Sequence, residues 1–155
     1  MNPSDFESRF RASRNAEMVV ALHLLNGGNT VQLPKRKLAP SFADRAKFYD
    51  SGDIYANGKR IEVKHLKHDF EFEAWPFPDA AICAKKSYDR ADPKPAFYCL
   101  VNQSMTVMAL IDVKTTHPDW FVKRIPDRAR GYDYEVYAVK PEYLGWRYLN
   151  WEEKL

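Results

Sequence analysis

On either side of residue 57 the apolar positions recur at every second residue: Ile54 and Ala56 before a polar break, Ile61 and Val63 after it. Spacing of period two predicts a pair of half-buried strands. The break is Asn57-Gly58, the dipeptide best suited to a two-residue hairpin loop, because both of its residues take positive φ. With these two as the loop, Ala56 opposes Lys59, Tyr55 opposes Arg60, Ile54 opposes Ile61 and Asp53 opposes Glu62. One side of the hairpin is then apolar, and the other carries Asp53, Glu62 and Lys64.

The rest of the chain reads as further α and β segments. Residues 18–25 are apolar nearly all round, which predicts a buried helix, opened by Ser13 or by an earlier Ser4-x-x-Glu7 capping box and closed by Gly27-Gly28. Residues 29–33 read as a first strand and 41–49 as a short segment of helical character. Residues 70–75 alternate apolar and acidic, as a solvated strand end or an ordered loop does. Asp79 suits the N-cap of a second helix over 80–90, with Pro93 and Pro95 as its stop. Strands follow at 96–101 and 105–113, joined around Asn102-Gln103-Ser104, and a last one at 134–139. The order helix, strand, hairpin, helix, strand, strand predicts an α/β fold, a three-layer α/β/α arrangement around a central mixed sheet. Tyr143, Trp146, Tyr148 and Trp151 read as a tail buried against that sheet in preference to a base-stacking surface.

Composition narrows this picture only a little. A chain of 155 residues, 45% hydrophobic and 29% charged, suits one domain (1–155) with no room for a separate DNA-reading module. Two cysteines, Cys83 in the expected second helix and Cys99 in a strand, are too few for a disulfide framework and read as buried thiols of a reducing cytoplasm. The N-terminus is polar and charged, and no apolar run approaches the ~18 residues of a membrane span, so a soluble cytoplasmic protein without a membrane partner is expected. His65 and His68, three apart on a continuing strand, point to opposite faces and do not make a zinc site. His68 or Asp69 would lie near the edge of the hairpin's charged face.

The chemistry lies on that charged face. Opposed Cβ atoms in a hairpin are only about 4.5–5.5 Å apart, so facing carboxylates repel unless a cation offsets them. Lys64, diagonal to Asp53, is one such cation, and a hard divalent ion bound through oxygen is another. Asp53 followed after eight residues by Glu62-Val63-Lys64 resembles the signature of the PD-(D/E)XK nuclease superfamily, with Gly52-Asp53 where that family has Pro-Asp. The resemblance implies a restriction-endonuclease-like core and a Mg²⁺- or Mn²⁺-dependent deoxyribonuclease. Asp53, Glu62 and the Val63 carbonyl would hold metal, Lys64 would be catalytic, and a further catalytic and metal-binding acid would come from the preceding helix, here Glu17. Glu17 shares a helical face with Val20, Ala21 and Leu24, where a carboxylate is costly unless paired or ligating. On the other reading it sits solvated in the helix's early turns, favoured by the dipole.

The net charge is only +3, but basic residues cluster. Lys35, Arg36 and Lys37 form one group and Lys123, Arg124, Arg128 and Arg130 a second, both expected to contact DNA phosphates, with Arg45, Lys47, Lys85 and Lys86 as extensions. A structure-selective enzyme or one of phage or mobile-element type is expected, and cutting a four-way junction would need a homodimer. Two other classes remain open: a catalytically inactive nuclease-fold module that binds DNA or protein, and a surface salt-bridge cluster in an unrelated α/β domain.

Overall fold

The computed structural model of the protein describes residues 3–34, 53–129 and 131–149. Its hairpin forms as the sequence dictates. Strands β2 (Ile54–Ala56) and β3 (Lys59–His65) pair antiparallel in the expected register, with Asn57 at φ 51° and Gly58 at φ 78°. Asn57 also ties the turn to the chain before it: its Oδ1 accepts from Thr30 N (3.0 Å) and its Nδ2 donates to Asn29 Oδ1 (2.8 Å). That contact sits beside strand β1 (Val31–Gln32), which pairs antiparallel with β2.

Helix α1 (Pro3–Asn26) begins beside the earlier of the two expected starts, at Ser4, and not at Ser13, and it ends at the predicted glycines. Gly28 takes φ 86°, and the amides of Gly27, Gly28 and Asn29 close on the carbonyls of His23, Leu25 and Leu24. This glycine-led ending satisfies carbonyls that the helix leaves open. The helix is buried on one face only. Ala16, Val20 and Ala21 pack on Ile54, Ala56, Ile61 and Val63, while Met18 (48% exposed) and Leu25 (53%) face outward.

The main sheet is mixed and six-stranded, in the order β1-β2-β3-β5-β6-β9. Strand β5 (Phe97–Val101) lies parallel to β3, and β6 (Val107–Asp112) and β9 (Gly145–Tyr148) continue antiparallel. Successive residues of β5 enter different cores: Tyr98 and Leu100 point away from α1, and Cys99 and Val101 point toward it. Asn102 fastens the β5–β6 turn, its Oδ1 accepting from the amides of Thr106 (2.9 Å) and Val107 (3.1 Å) while its Nδ2 donates to the Phe70 carbonyl (3.0 Å).

The layer opposite α1 differs from expectation. Residues 80–90 do not form one helix capped by Asp79. They form strand β4 (Ala80–Ala84) and a short helix α2 (Lys85–Arg90). Strand β4 pairs antiparallel with β8 (Tyr132–Val139), which pairs with β7 (Phe121–Asp127), giving a second sheet in the order β4-β8-β7. Ala80, Ile82 and Cys83 turn inward against Tyr98, Leu100, Ala109 and Ile111. Burial against the main sheet and a ladder to β8 outweigh the high helix propensity of the alanines. Asp79 instead bridges Lys140 (2.9 Å) and Lys123 (3.4 Å) through its carboxylate. Cys83 is therefore a strand residue. The molecule is a mixed α/β fold in which helix α1 covers one face of the large sheet and the small sheet covers the other.

Strands β7 and β9 were not expected, and β8 starts two residues earlier than its sequence pattern indicates. Strand β6 begins at Val107, because Met105 (φ 59°) belongs to the turn, and Val113 opens helix α3 (Val113–Thr116). Residues 70–75 are an ordered loop with a Glu71–Ala74 bridge. The aromatic tail is buried only in part: Trp146 meets Phe70 edge-on at 5.9 Å, whereas Tyr143 and Tyr148 stay exposed, Tyr148 (66%) stacking on Phe72 (4.4 Å, 7°) at the end of β9. The basic group Lys35-Arg36-Lys37, residues 41–49, Arg130 and Trp151 lie outside the described residues. Among the described residues no helix is long and apolar enough to cross a membrane.

Candidate functional site

The face of β3 turned away from α1 carries Arg60, Glu62 and Lys64 at alternate positions. These residues form one wall of a cleft of about 620 Å³. The other walls come from Cys83 on β4, Ser87 and Arg90 on α2, the turn through Asp92 and Pro95, and Tyr98 on β5. The cleft exists because β4 and α2 occupy the crossover between the parallel strands β3 and β5, standing over the sheet there.

Glu62 is held firmly. Its Oε1 accepts from Arg60 Nε (2.7 Å) and Nη2 (2.7 Å), while Arg60 Nη1 donates to the Pro93 carbonyl (3.1 Å). Arg60 is 9% exposed, and a buried guanidinium needs such partners. Arg60 is not among the residues expected at the site, although the sequence carries its signal: it stands two residues before Glu62 and so shares its face. Arg60 is thus a second cation beside Lys64 that offsets the charge of Glu62.

Asp53 stands one residue before β2, just beyond the last observed pair of the hairpin, Ile54–Ile61, and does not itself line the cleft. Its Oδ2 accepts from the Val63 amide at 2.7 Å, and the carboxyl is buried (6% exposed). Asp53 thus fastens the open end of the hairpin as well as adding charge. Lys64 is half-buried, and desolvation of its ammonium pushes its pKa down, partly opposed by Cys83 and Glu62. Burial likewise pushes up the Cys83 thiol and the Tyr98 hydroxyl, so both are protonated at neutral pH.

Glu17 does not line the cleft. It lies in mid-helix on α1, fully buried on the helix side of the sheet, with Oε2 paired to Arg14 Nη1 at 3.2 Å. The alternative of a solvated carboxylate in the first turns therefore falls, while the expectation that it must be paired or ligating is met by Arg14. Among the described residues no three His, Cys, Asp or Glu side chains gather closely enough to enclose a metal ion. The structure brings Glu62, Lys64 and the Val63 backbone to one cleft and joins Asp53 to them through an amide.

The remaining expected residues are elsewhere. His65 Nε2 donates to the Gln103 carbonyl (3.0 Å), His68 meets the Phe77 ring edge-on, and Asp69 accepts from the Ser104 amide, all by the β5–β6 turn and away from the cleft. Lys123 and Arg124 lie on β7, exposed, with Lys123 drawn to Asp79, and Arg128 follows the strand. Lys85 pairs with Asp89 and leaves the cleft lining. No known protein family, curated protein or solved structure matches this chain.

Proposed function

We propose that this chain is a divalent-metal-dependent nuclease that hydrolyses phosphodiester bonds in DNA, on a core of the restriction-endonuclease-like type. The observation that carries this reading is the cleft face of β3, where Glu62 and a desolvated Lys64 alternate on either side of Val63, whose amide is held by the Asp53 carboxylate. A charged lysine kept from water is costly unless its charge is used. The helix, the antiparallel hairpin and the parallel strand beside it agree with the superfamily that the Asp53…Glu62-Val63-Lys64 spacing resembles.

Asp53, Glu62 and the Val63 carbonyl offer oxygen alone, which suits Mg²⁺ or Mn²⁺, and Mg²⁺ is commonly held by one or two carboxylates together with waters and substrate phosphate. Bound there, such an ion would polarise the scissile phosphate and lower the pKa of a water. Lys64 places its ammonium where negative charge grows on the phosphate oxygens in the transition state, in a cleft where that charge is weakly screened. Arg60 orients Glu62 and is a positioning residue. With Arg90 it also makes the cleft attractive to a polyanion.

A second reading, a nuclease-fold module without catalysis, is favoured by the Arg60 pair that already engages Glu62 Oε1. One assay separates the two: supercoiled plasmid, linear duplex, single strands and a four-way junction, each with Mg²⁺, Mn²⁺ or EDTA. The nuclease cleaves at least one of them with metal, and both EDTA and Glu62→Gln, which keeps an acceptor for Arg60, abolish cleavage. Lys64→Ala should lower the rate by about 10²–10³ with DNA binding nearly unchanged, because its charge acts on the transition state. Salt-sensitive DNA binding without cleavage of any substrate would favour the second reading.

A further inference from the structure

At the far edge of the main sheet, three strands beyond β3, a second hollow of about 480 Å³ opens beside β9. It has two sides. One is the loop Glu73-Ala74-Trp75; the other is the 3-10 turn Pro141–Tyr143 with Leu144 and Trp146 after it. Both sides are held in place. The Ala74 amide closes on the Glu71 carbonyl, Trp75 Nε1 donates to the Asp79 carbonyl (3.0 Å), and Trp146 is fixed by its ladder to Ala109 on β6. The buried Phe70 meets both indoles, Trp75 at 5.2 Å and Trp146 at 5.9 Å, so the two rings rest on one support. Each indole is half-buried and lines the hollow.

Charge and ring chemistry together select the occupant. Among the described residues, Glu73 and Glu142 are the charged groups of the lining, both exposed, and neither forms an ion pair. Lys140, two residues before Glu142, is drawn to Asp79 instead (2.9 Å). The hollow thus carries two carboxylates and, among the described residues, no cation of its own. A neutral or anionic guest gains nothing from that charge. A bare metal ion would need more oxygen than is gathered there, since among the described residues no three His, Cys, Asp or Glu side chains come together. An alkylated ammonium suits both features: its diffuse charge is attracted to an indole ring, and its methyl groups find apolar contact on Leu144 and Pro141.

We infer that this hollow binds a methylated ammonium group, carried by a free amine such as choline or by a methylated lysine side chain. The test is a titration of the full isotope-labelled chain with choline, followed through the indole N–H resonances of its tryptophans. Those of Trp75 and Trp146 should move and saturate, while that of Trp120, among other rings beside Tyr88 and Tyr137, stays still. The neutral alcohol in which carbon replaces the choline nitrogen has the same shape without the charge and should move none of them. Glu73→Gln and Glu142→Gln should each weaken choline binding about threefold, and together about tenfold. A trimethyllysine amide forms the second arm: tighter binding than choline assigns the group to a protein side chain, and weaker binding assigns it to a free amine. An equal response to the neutral alcohol, or displacement of choline by Mg²⁺ at matched ionic strength, would overturn the inference. So would an affinity that the double substitution leaves within about twofold. None of these residues lines the cleft, so the result stands apart from that of the nuclease assay.

Discussion

Asp53 has two roles that substitution can divide. Its carboxylate accepts from the buried Val63 amide, and in the proposed chemistry its charge helps to hold the metal ion. Asp53→Ala leaves that amide without its acceptor, a loss of about 1–3 kcal/mol, which thermal melting should register as a drop of several degrees. Asp53→Asn keeps an acceptor oxygen, so its melting temperature should stay close to that of the parent while metal-dependent cleavage is lost. Equal destabilisation by both would show that the hydrogen bond is not what fastens the hairpin. At this scale the sequence was legible wherever a turn fixed the register: Asn57-Gly58 was enough to place Glu62 and Lys64 on one face. Period two also located Arg60, but its contact with the Pro93 carbonyl joins residues 33 apart, and no local pattern reports that.

Elements were readable where their periodicity was strong and their partners near. Helix α1, the hairpin, β5 and β6 follow from spacing and turn residues. Strand β4 was not legible, because Asp79 followed by alanines is locally a good helix start, and the partner that makes it a strand is β8, some fifty residues later. Strand β7 hid for a different reason: Val122, Lys123, Arg124 and Pro126 are exposed, so it has little apolar alternation to detect. The reassigned β4 makes its own prediction. Ala81 is its outward-facing residue, and Ala81→Thr should leave stability unchanged or raise it by a few tenths of a kcal/mol, as a β-branched residue does on a strand. A helix there would be weakened by the same change, so a clear fall in the denaturation midpoint would contradict the strand.

In the whole molecule, the large sheet separates two buried cores, and Cys99 reports on the one beneath α1. Burial pushes its thiol up to about 12, so at pH 8 roughly one molecule in 10⁴ carries the thiolate that reacts with disulfide reagents. Labelling of Cys99 should proceed only as fast as the chain unfolds, and its rate should rise with denaturant in parallel with the loss of circular dichroism. Fast labelling in native buffer would mean that the sheet opens locally. The division of the cores also explains why the fold was read as having two helical layers: the apolar inner face of residues 80–84 shows that the sheet is covered, but not by what. The strand that completes that cover has one more consequence. Strand β7 ends the small sheet with its backbone groups on the outside, the kind of border along which proteins join into aggregates. Arg124 and Lys123 put positive charge along this border and Pro126 has no amide to donate, two features that disfavour pairing with a further strand there.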